Sequence, residues 1–499
     1  MNNLSFSQSM WTISELFFLF VGSLLIINYL RVLWNSRSLP PGPFPLPFVG
    51  NLWRLKFQLH PATLTQLSKL YGKIYTVWLG DSPLVVLNGW RAVKDGIVSH
   101  SEELSGRPVA SYLKDLLGGG GILMSNGHVW KQQRRFGLMT LRNLGLGKRG
   151  LESRIQDEAQ YIVESFRAYK GAPFDPFNII TATVANVIAA VVFGHRFSID
   201  DATYQELIKS NHGLLEGGAS PWAKMYDILP WLMKHVPGPH QTAFTKIKFL
   251  RQFTKKEIRT HKENGLLEEP QDVIDYYLDQ IEKRKTEVDS TFDEKNLISM
   301  VIDLFLAGTE TTTTTLQWAL LYMVAYPHIQ QNIHEELDAV LDGSKVVCYE
   351  DRKRLPYTNA VIHEVQRFAN IAAVGIPRTC VKEVKVYAFS LKKDTMVLAN
   401  LDSVLFDPQC WKTPDQFNPN NFLDEKGDFL INEAFLPFSG GARVCLGEQL
   451  ARYELFIFFT TLMRSYQFHL PEGVTEANTK YIYNLTLQPH PYQVCAIPR

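Results

Sequence analysis

The sequence predicts a mainly α protein with minor β-sheets, placed behind an N-terminal membrane helix. Three observations carry this reading. Helical periodicity runs through 151–169, 203–216, 245–264, 271–285 and 315–341. One candidate helix from near Thr291 to just before Pro327 would span about 50 Å, the width of a whole domain, so it belongs at the centre. Strand patterns are confined to 74–88, with a turn at Gly80-Asp81, to 383–399 and to 482–497.

From the N-terminus, Leu16 to Leu30 is uncharged and apolar, with Ile13 and Val32-Leu33-Trp34 extending it. A membrane-spanning helix needs about 20 such residues. Glu15 is the only earlier charge, and Arg31 and Arg37 follow the run, the reverse of a cleaved signal peptide. The positive-inside rule then puts the bulk of the chain in the cytosol. Prolines 40, 41, 43, 45 and 47 next fix a stiff extended spacer. The expected division is an anchor at 1–38, a proline-rich hinge at 39–50 and one cytosolic domain at 51–499. Length alone would allow about three domains, but no interior linker divides the chain. The long helix has a plausible capping box in Thr291 and Glu294.

Hydrophobic content of 45% suffices for a large core, and the formal net charge of +1 gives no reason to expect nucleic acid. The five cysteines are far apart and odd in number, which argues against a disulfide framework or a zinc site and fits a reducing compartment.

One cysteine is different. Phe438-Ser-Gly-Gly-Ala-Arg-Val-Cys-Leu-Gly447 places Cys445 in a Gly-rich turn just before a helix. Helix amides and an arginine favour a thiolate, the metal-ligating form. Gly441 and Gly447 permit unusual backbone conformations and close approach to a flat ligand, and Arg443 can pair with an anion on it. A lone cysteine is usually a core residue, but the spacing Phe-x-x-Gly-x-Arg-x-Cys-x-Gly resembles the heme-binding signature of the cytochrome P-450 family. The resemblance implies that family's fold, heme b (iron protoporphyrin IX) as cofactor and Cys445 as the axial iron ligand.

Other segments match in family order. Ala307-Gly308-Thr309-Glu310-Thr311, with four more threonines, is poor helix sequence inside a long helix, which points to a site. Ala307 and Gly308 leave room for a flat cofactor, while Glu310 and Thr311 suit a proton relay. This resembles the family's oxygen-activation segment. Glu364-Val-Gln-Arg367 resembles its structural Glu-x-x-Arg pair, with Asn421 where the family often has an arginine. Trp130 and Arg134, at i and i+4, resemble a heme-propionate clamp. Arg378 and Arg443 complete three cations for two carboxylates, and arginine suits bidentate pairing.

The resemblance covers the whole chain, and its details look like the vertebrate microsomal second family, nearest its J subfamily. It implies a monooxygenase that hydroxylates or epoxidises lipophilic molecules, such as polyunsaturated fatty acids (arachidonic acid among them) and xenobiotics, with O2. The thiolate would favour O–O cleavage. Electrons would come from NADPH through NADPH–cytochrome P-450 reductase, with cytochrome b5 as a second donor, at the endoplasmic reticulum membrane. No nucleotide-binding loop is present: Gly118 to Gly121 lacks the dinucleotide spacing and reads as a flexible loop. By family position the apolar pocket comprises Ile122, Leu123, Leu304, Phe305, Ile371, Val374, Ile376 and Leu485. Leu229-Pro-Trp-Leu-Met233 either dips into membrane lipids or is a buried loop. A reductase-independent isomerase or peroxygenase, and a non-catalytic heme-binding protein, are the alternative readings, and Glu310-Thr311 favours the monooxygenase.

Overall fold

The computed structural model describes residues 13–145, 149–265, 267–341 and 346–499. Its organising element is the helix Glu294–Ala325, whose 32 residues span about 48 Å. Phe177–Val192, Pro356–Ala369 and Glu448–Ser465 pack around it. It begins later than its sequence suggests. Asp293 is the N-cap, accepting the Asn296 N–H at 2.7 Å. Thr291 has a different duty: its carbonyl and hydroxyl accept from Gln133, and its hydroxyl donates to Gln132, both on the helix Gly127–Asn143. The helix ends at Tyr326 because Pro327 has no N–H to continue it, so the periodic stretch 315–341 divides there and resumes as Pro327–Val340.

Arg149–Arg167, Ala202–Ala219, Pro239–Asn264 and Val273–Lys283 form close to where periodicity placed them. Phe177–Val192 was not expected. It is apolar on nearly every face, so it shows no amphipathic period, and it is almost wholly buried.

A four-stranded sheet orders Ile74–Leu79, Ser82–Asn88, Met396–Asn400 and Arg378–Thr379. The first two form the expected hairpin, with Leu79 opposite Ser82. Ser82–Asn88 and Met396–Asn400 run parallel, joined through most of the helices. The C-terminal patch splits. Tyr481–Tyr483 pairs with Leu487–Pro489, while Cys495–Pro498 pairs with Tyr466–His469. Tyr466–His469 and Arg378–Thr379 are too short to show a sequence pattern.

The proline segment docks on this sheet. The Pro41 carbonyl accepts the Thr76 N–H at 2.9 Å. Asn51 bonds the Phe44 carbonyl and both backbone groups of Trp78. Before it, within the helix Ile13–Ser36, Phe18–Ser36 has a mean hydropathy of 1.5 and is only 6% buried. Phe18, Phe20, Ile26, Ile27 and Trp34 project outward. A helix this long, apolar and uncovered can cross a bilayer.

Glu364 and Arg367 lie fully buried behind the cysteine loop. Arg367 forks onto Glu364 at 2.7 and 2.8 Å, and its other donors take the Leu405, Pro414 and Gln416 carbonyls. Glu364 also accepts the Asn418 N–H and, at 3.2 Å, the Asn421 amide. Asn421 therefore joins the network as a hydrogen-bond donor without a charge. Burial pushes the Glu364 carboxyl up against the pull of Arg367. Arg367→Leu would strand that carboxylate, and thermal unfolding should show about 3–5 kcal/mol of lost stability.

Candidate active site

The cysteine loop is built by its glycines and by one return hydrogen bond. The Cys445 N–H donates to the Phe438 carbonyl at 3.0 Å, closing the turn. Gly441 has φ +70°, and a Cβ there would collide with the Ile97 carbonyl. The positive φ is the unusual backbone conformation that its sequence suggested, and the neighbour that excludes a Cβ is the protein's own backbone. Gly447 differs: its φ of −88° is ordinary and a Cβ would meet nothing within 4 Å. A Cβ there would face open space two residues from the cysteine.

Cys445 is accessible from that open side. Protein atoms crowd it elsewhere, and burial pushes its thiol up. The Gly447 and Glu448 amides and Arg134 pull it down, while Glu448 adds to the rise. The expectation that amides and an arginine make this thiol acidic is therefore corrected, because burial wins. A bound metal ion inverts such a balance by deprotonating the thiol outright.

Trp130 and Arg134 lie on Gly127–Asn143 as expected. Arg134 donates to the Val444 carbonyl at 2.8 Å. The Trp130 ring carries the Arg443 guanidinium 4.0 Å above it. Arg443 donates to the carbonyls of Ser105, Ile122 and Ser125. Arg378 bonds the Gly440 carbonyl at 2.6 Å and the Ser439 hydroxyl. A fourth arginine, Arg107, joins them, donating to the Leu123, Ile376 and Pro377 carbonyls. No motif marks it, because only the fold brings 107 beside 378 and 443.

Desolvation and mutual repulsion push Arg107 down to about 9, Arg378 to about 10 and Arg443 to about 8. Buried cations need counter-anions, and no acidic side chain contributes to any of these shifts. The buried Trp130 Nε1–H also lacks a partner. Cations with no acidic partner among the described residues, an orphaned donor and open space beside an accessible thiol fit a flat, dianionic, thiolate-ligated cofactor such as heme.

The long helix presents Ala307, exposed, and Thr311, half-buried, one turn apart. The Thr311 hydroxyl donates to the Ala307 carbonyl at 2.7 Å. Gly308 is turned elsewhere: a Cβ there would come within 2.6 Å of Ile188 on Phe177–Val192. Its glycine permits helix packing and not a cofactor face. Glu310 is buried on another flank, bonded to Gln488 and, at 3.4 Å, to His212 of Ala202–Ala219. Adjacent helix positions diverge by about 100°, so acid and hydroxyl do not stand side by side.

The apolar candidates divide. Ile376 and Leu485 are exposed, and Leu123, Leu304, Ile371 and Val374 are partly so. Ile122 is buried, and Phe305 turns into the core against Phe193 at 6.0 Å. The C-terminal end of the glycine run is tied to the long helix. Asp303 of the long helix accepts the Ile122 and Leu123 N–H groups at 2.7 and 2.9 Å, and a Cβ on Gly121 would collide with its carboxylate. Leu229 to Met233 is mixed: Trp231 and Leu232 are exposed, Met233 buried.

Glu454 also escaped the sequence reading. It lies among the apolar residues of Glu448–Ser465, and neither carboxylate oxygen has a hydrogen-bond partner. Burial pushes it up to about 8 against the pull of the nearby Thr312 hydroxyl, which stands outside good hydrogen-bond geometry. A folded-state value above the unfolded one means that its stability contribution is full below the usual carboxylate range and lost as pH rises through about 8. Glu454→Gln keeps the shape without the proton. Thermal melts should show variant and wild type alike at acidic pH, and the variant more stable by about 1–3 kcal/mol on the alkaline side.

This fold and this site define a heme-thiolate monooxygenase. The chain belongs to the cytochrome P450 family, whose model matches residues 40–496. It is similar to human cytochrome P450 2J2, 40% identical over 498 residues and 99% of both chains. Mouse cytochrome P450 2J5 is 42% identical over 95% of this chain and 94% of its own. Cytochrome P450 2C25 of Mesocricetus auratus is 38% identical over 96% of this chain and 98% of its own. Heme b, electrons from NADPH through the reductase, O2 and a lipophilic substrate follow from the family. Family and N-terminal apolar helix together indicate an anchor in the endoplasmic reticulum membrane.

Proposed function

We propose that this enzyme hydroxylates or epoxidises polyunsaturated fatty acids, arachidonic acid among them, and apolar xenobiotics. The observation that carries the substrate class is the set of uncovered apolar side chains, Ile376 and Leu485 with Leu123, Leu304, Ile371 and Val374. Gathered around a bound substrate, such side chains would exclude water, which strengthens every polar contact inside.

In this proposal Cys445 would ligate the heme iron, the Phe438–Gly447 loop would support it, and Trp130, Arg134, Arg378, Arg443 and Arg107 would hold the propionates. The heme, when bound, supplies the reductive activation of O2. The chain's residues supply positioning and protons. Thr311 offers a hydroxyl on the same face as Ala307 and passes protons at its Oγ1. Glu310 feeds that hydroxyl from its own flank, through water, as the acid of the pair. Residues 1–38 anchor the enzyme and 39–50 fix its pose. Arg31 and Arg37 keep the catalytic domain, 51–499, in the cytosol. Cytochrome b5 is a second electron donor. Trp231 and Leu232 rest in membrane lipid, where exposed tryptophan is favoured.

Incubation with arachidonic acid, NADPH and reductase tests the reading. Hydroxylated or epoxidised products should form in proportion to NADPH and disappear without reductase. Turnover of xenobiotics but not of the fatty acid would remove the lipid assignment. Turnover with peroxide alone would favour a peroxygenase.

A further inference from the structure

One buried polar chain, not used above, links the Glu364–Arg367 helix to the cysteine loop. It begins at His363, which sits in a box of Phe422, Phe429 and Phe435 with ring centroids at 5.6, 4.6 and 5.2 Å. Its Nδ1 lies 2.7 Å from the Asn359 carbonyl, which has no proton to give, so Nδ1 carries the hydrogen. Nε2 is then an acceptor, and it receives the Arg452 Nη1 at 3.0 Å. Burial and the Arg452 charge push the imidazole down to about 3, which keeps it neutral.

From this anchor Arg452 reaches the cysteine segment twice. Its Nε and Nη2 hold Glu448 Oε1 at 3.1 and 2.9 Å. Its guanidinium carbon lies 5.2 Å from the centroid of Phe438, the residue whose carbonyl closes the loop onto Cys445. Arg452 is 17% exposed and Glu448 28%, so this pair is mostly desolvated, unlike an ordinary surface helix pair. Glu448 begins the helix three residues after Cys445, so its negative charge stands next to the ligand loop. A fixed cation on Glu448 offsets that field.

Resting on the heme-thiolate assignment above, we propose that Arg452, anchored by neutral His363, is a positioning residue for the cysteine ligand. It holds the Phe438 ring in place and screens Glu448 from the Cys445 sulfur. Groups behind a metal ligand orient it and tune the metal. Here the lever is a largely desolvated cation on the helix after Cys445, held by His363 of the Glu364–Arg367 helix, so the structural core and the ligand's electronics are joined through one side chain.

The test uses the full-length, heme-loaded enzyme and reads two quantities besides activity. They are the heme reduction potential and the lifetime of the thiolate band in the carbon monoxide difference spectrum. Arg452→Met should shift the potential negative, because a cation is lost and Glu448 is left unscreened. It should also shorten the band's lifetime about tenfold, the scale of such outer-shell losses. Arg452→Lys should restore most of the potential but not the lifetime, since lysine carries the charge without the planar fork. Glu448→Gln should shift the potential the opposite way. His363→Leu should follow Arg452→Met, and His363→Gln, which keeps an acceptor, should return toward wild type. Wild-type potential and lifetime in both Arg452→Met and Glu448→Gln would overturn the proposal. Should Arg452→Met fail to fold, an unshifted potential in Glu448→Gln would overturn it alone. A wild-type enzyme without the thiolate band would instead overturn the assignment beneath it.

Discussion

Cys445→Ala should yield a folded protein that no longer holds thiolate-ligated heme. The substitution removes the accessible cysteine of the Phe438–Gly447 loop, the one on which Arg134 acts. Among the other cysteines, Cys380 is buried in a separate core with its thiol pushed up to about 12, so it is no substitute ligand. The return bond to Phe438 that closes the loop is a backbone bond and survives in alanine. Stability of the heme-free chain should therefore change little. Heme retained through gel filtration should fall more than about a hundredfold in affinity, beyond the 10–100-fold that outer-shell changes cost. Full retention with an unchanged thiolate spectrum would mean that another cysteine is the ligand.

Thr311→Ala should separate electron flow from product. NADPH and O2 consumption should continue, while product per NADPH falls about tenfold. That is less than the 10²–10⁴-fold span of general acid catalysis, because water can replace part of the relay. The fold gives this variant a clean interpretation. The Thr311 hydroxyl bonds back to the Ala307 carbonyl, a contact that competes with the helix, and alanine is the better helix former. Stability should hold or rise, so a loss of coupling would belong to the hydroxyl itself. Thr311→Ser, which keeps the oxygen, should recover most of the coupling. Unchanged coupling in the alanine variant would remove Thr311 from the proton path and leave Glu310, turned toward His212 and Gln488, without a partner on the cleft face.

Long periodic helices, the hairpin at Gly80 and the cysteine loop were legible because each has a local signature. An amphipathic repeat, a turn glycine and a ten-residue spacing can all be read without the rest of the chain. What was not legible has one common cause: it depends on contacts between distant segments. Phe177–Val192 shows no period because it is buried on nearly all sides. Arg107 is an unremarkable arginine until the fold sets it beside Arg378 and Arg443. Glycines were read correctly as special, but two were given the wrong neighbour. Gly441 yields to the Ile97 carbonyl and Gly308 to Ile188, and neither contact is visible in one dimension. The Glu310-Thr311 pair shows the same limit. Adjacency in sequence suggested adjacency in space, and helix geometry sends the two side chains to different flanks. The thiol was misjudged because amides and arginine are visible in the motif whereas burial is not.

The most direct test of a heme-thiolate centre at Cys445 is the carbon monoxide difference spectrum of the reduced, heme-reconstituted wild-type protein. A Soret band shifted strongly to the red, as thiolate ligation gives, is the predicted result, and it should vanish in Cys445→Ala. A band typical of histidine or neutral thiol ligation, unchanged by that substitution, would contradict the account at its centre.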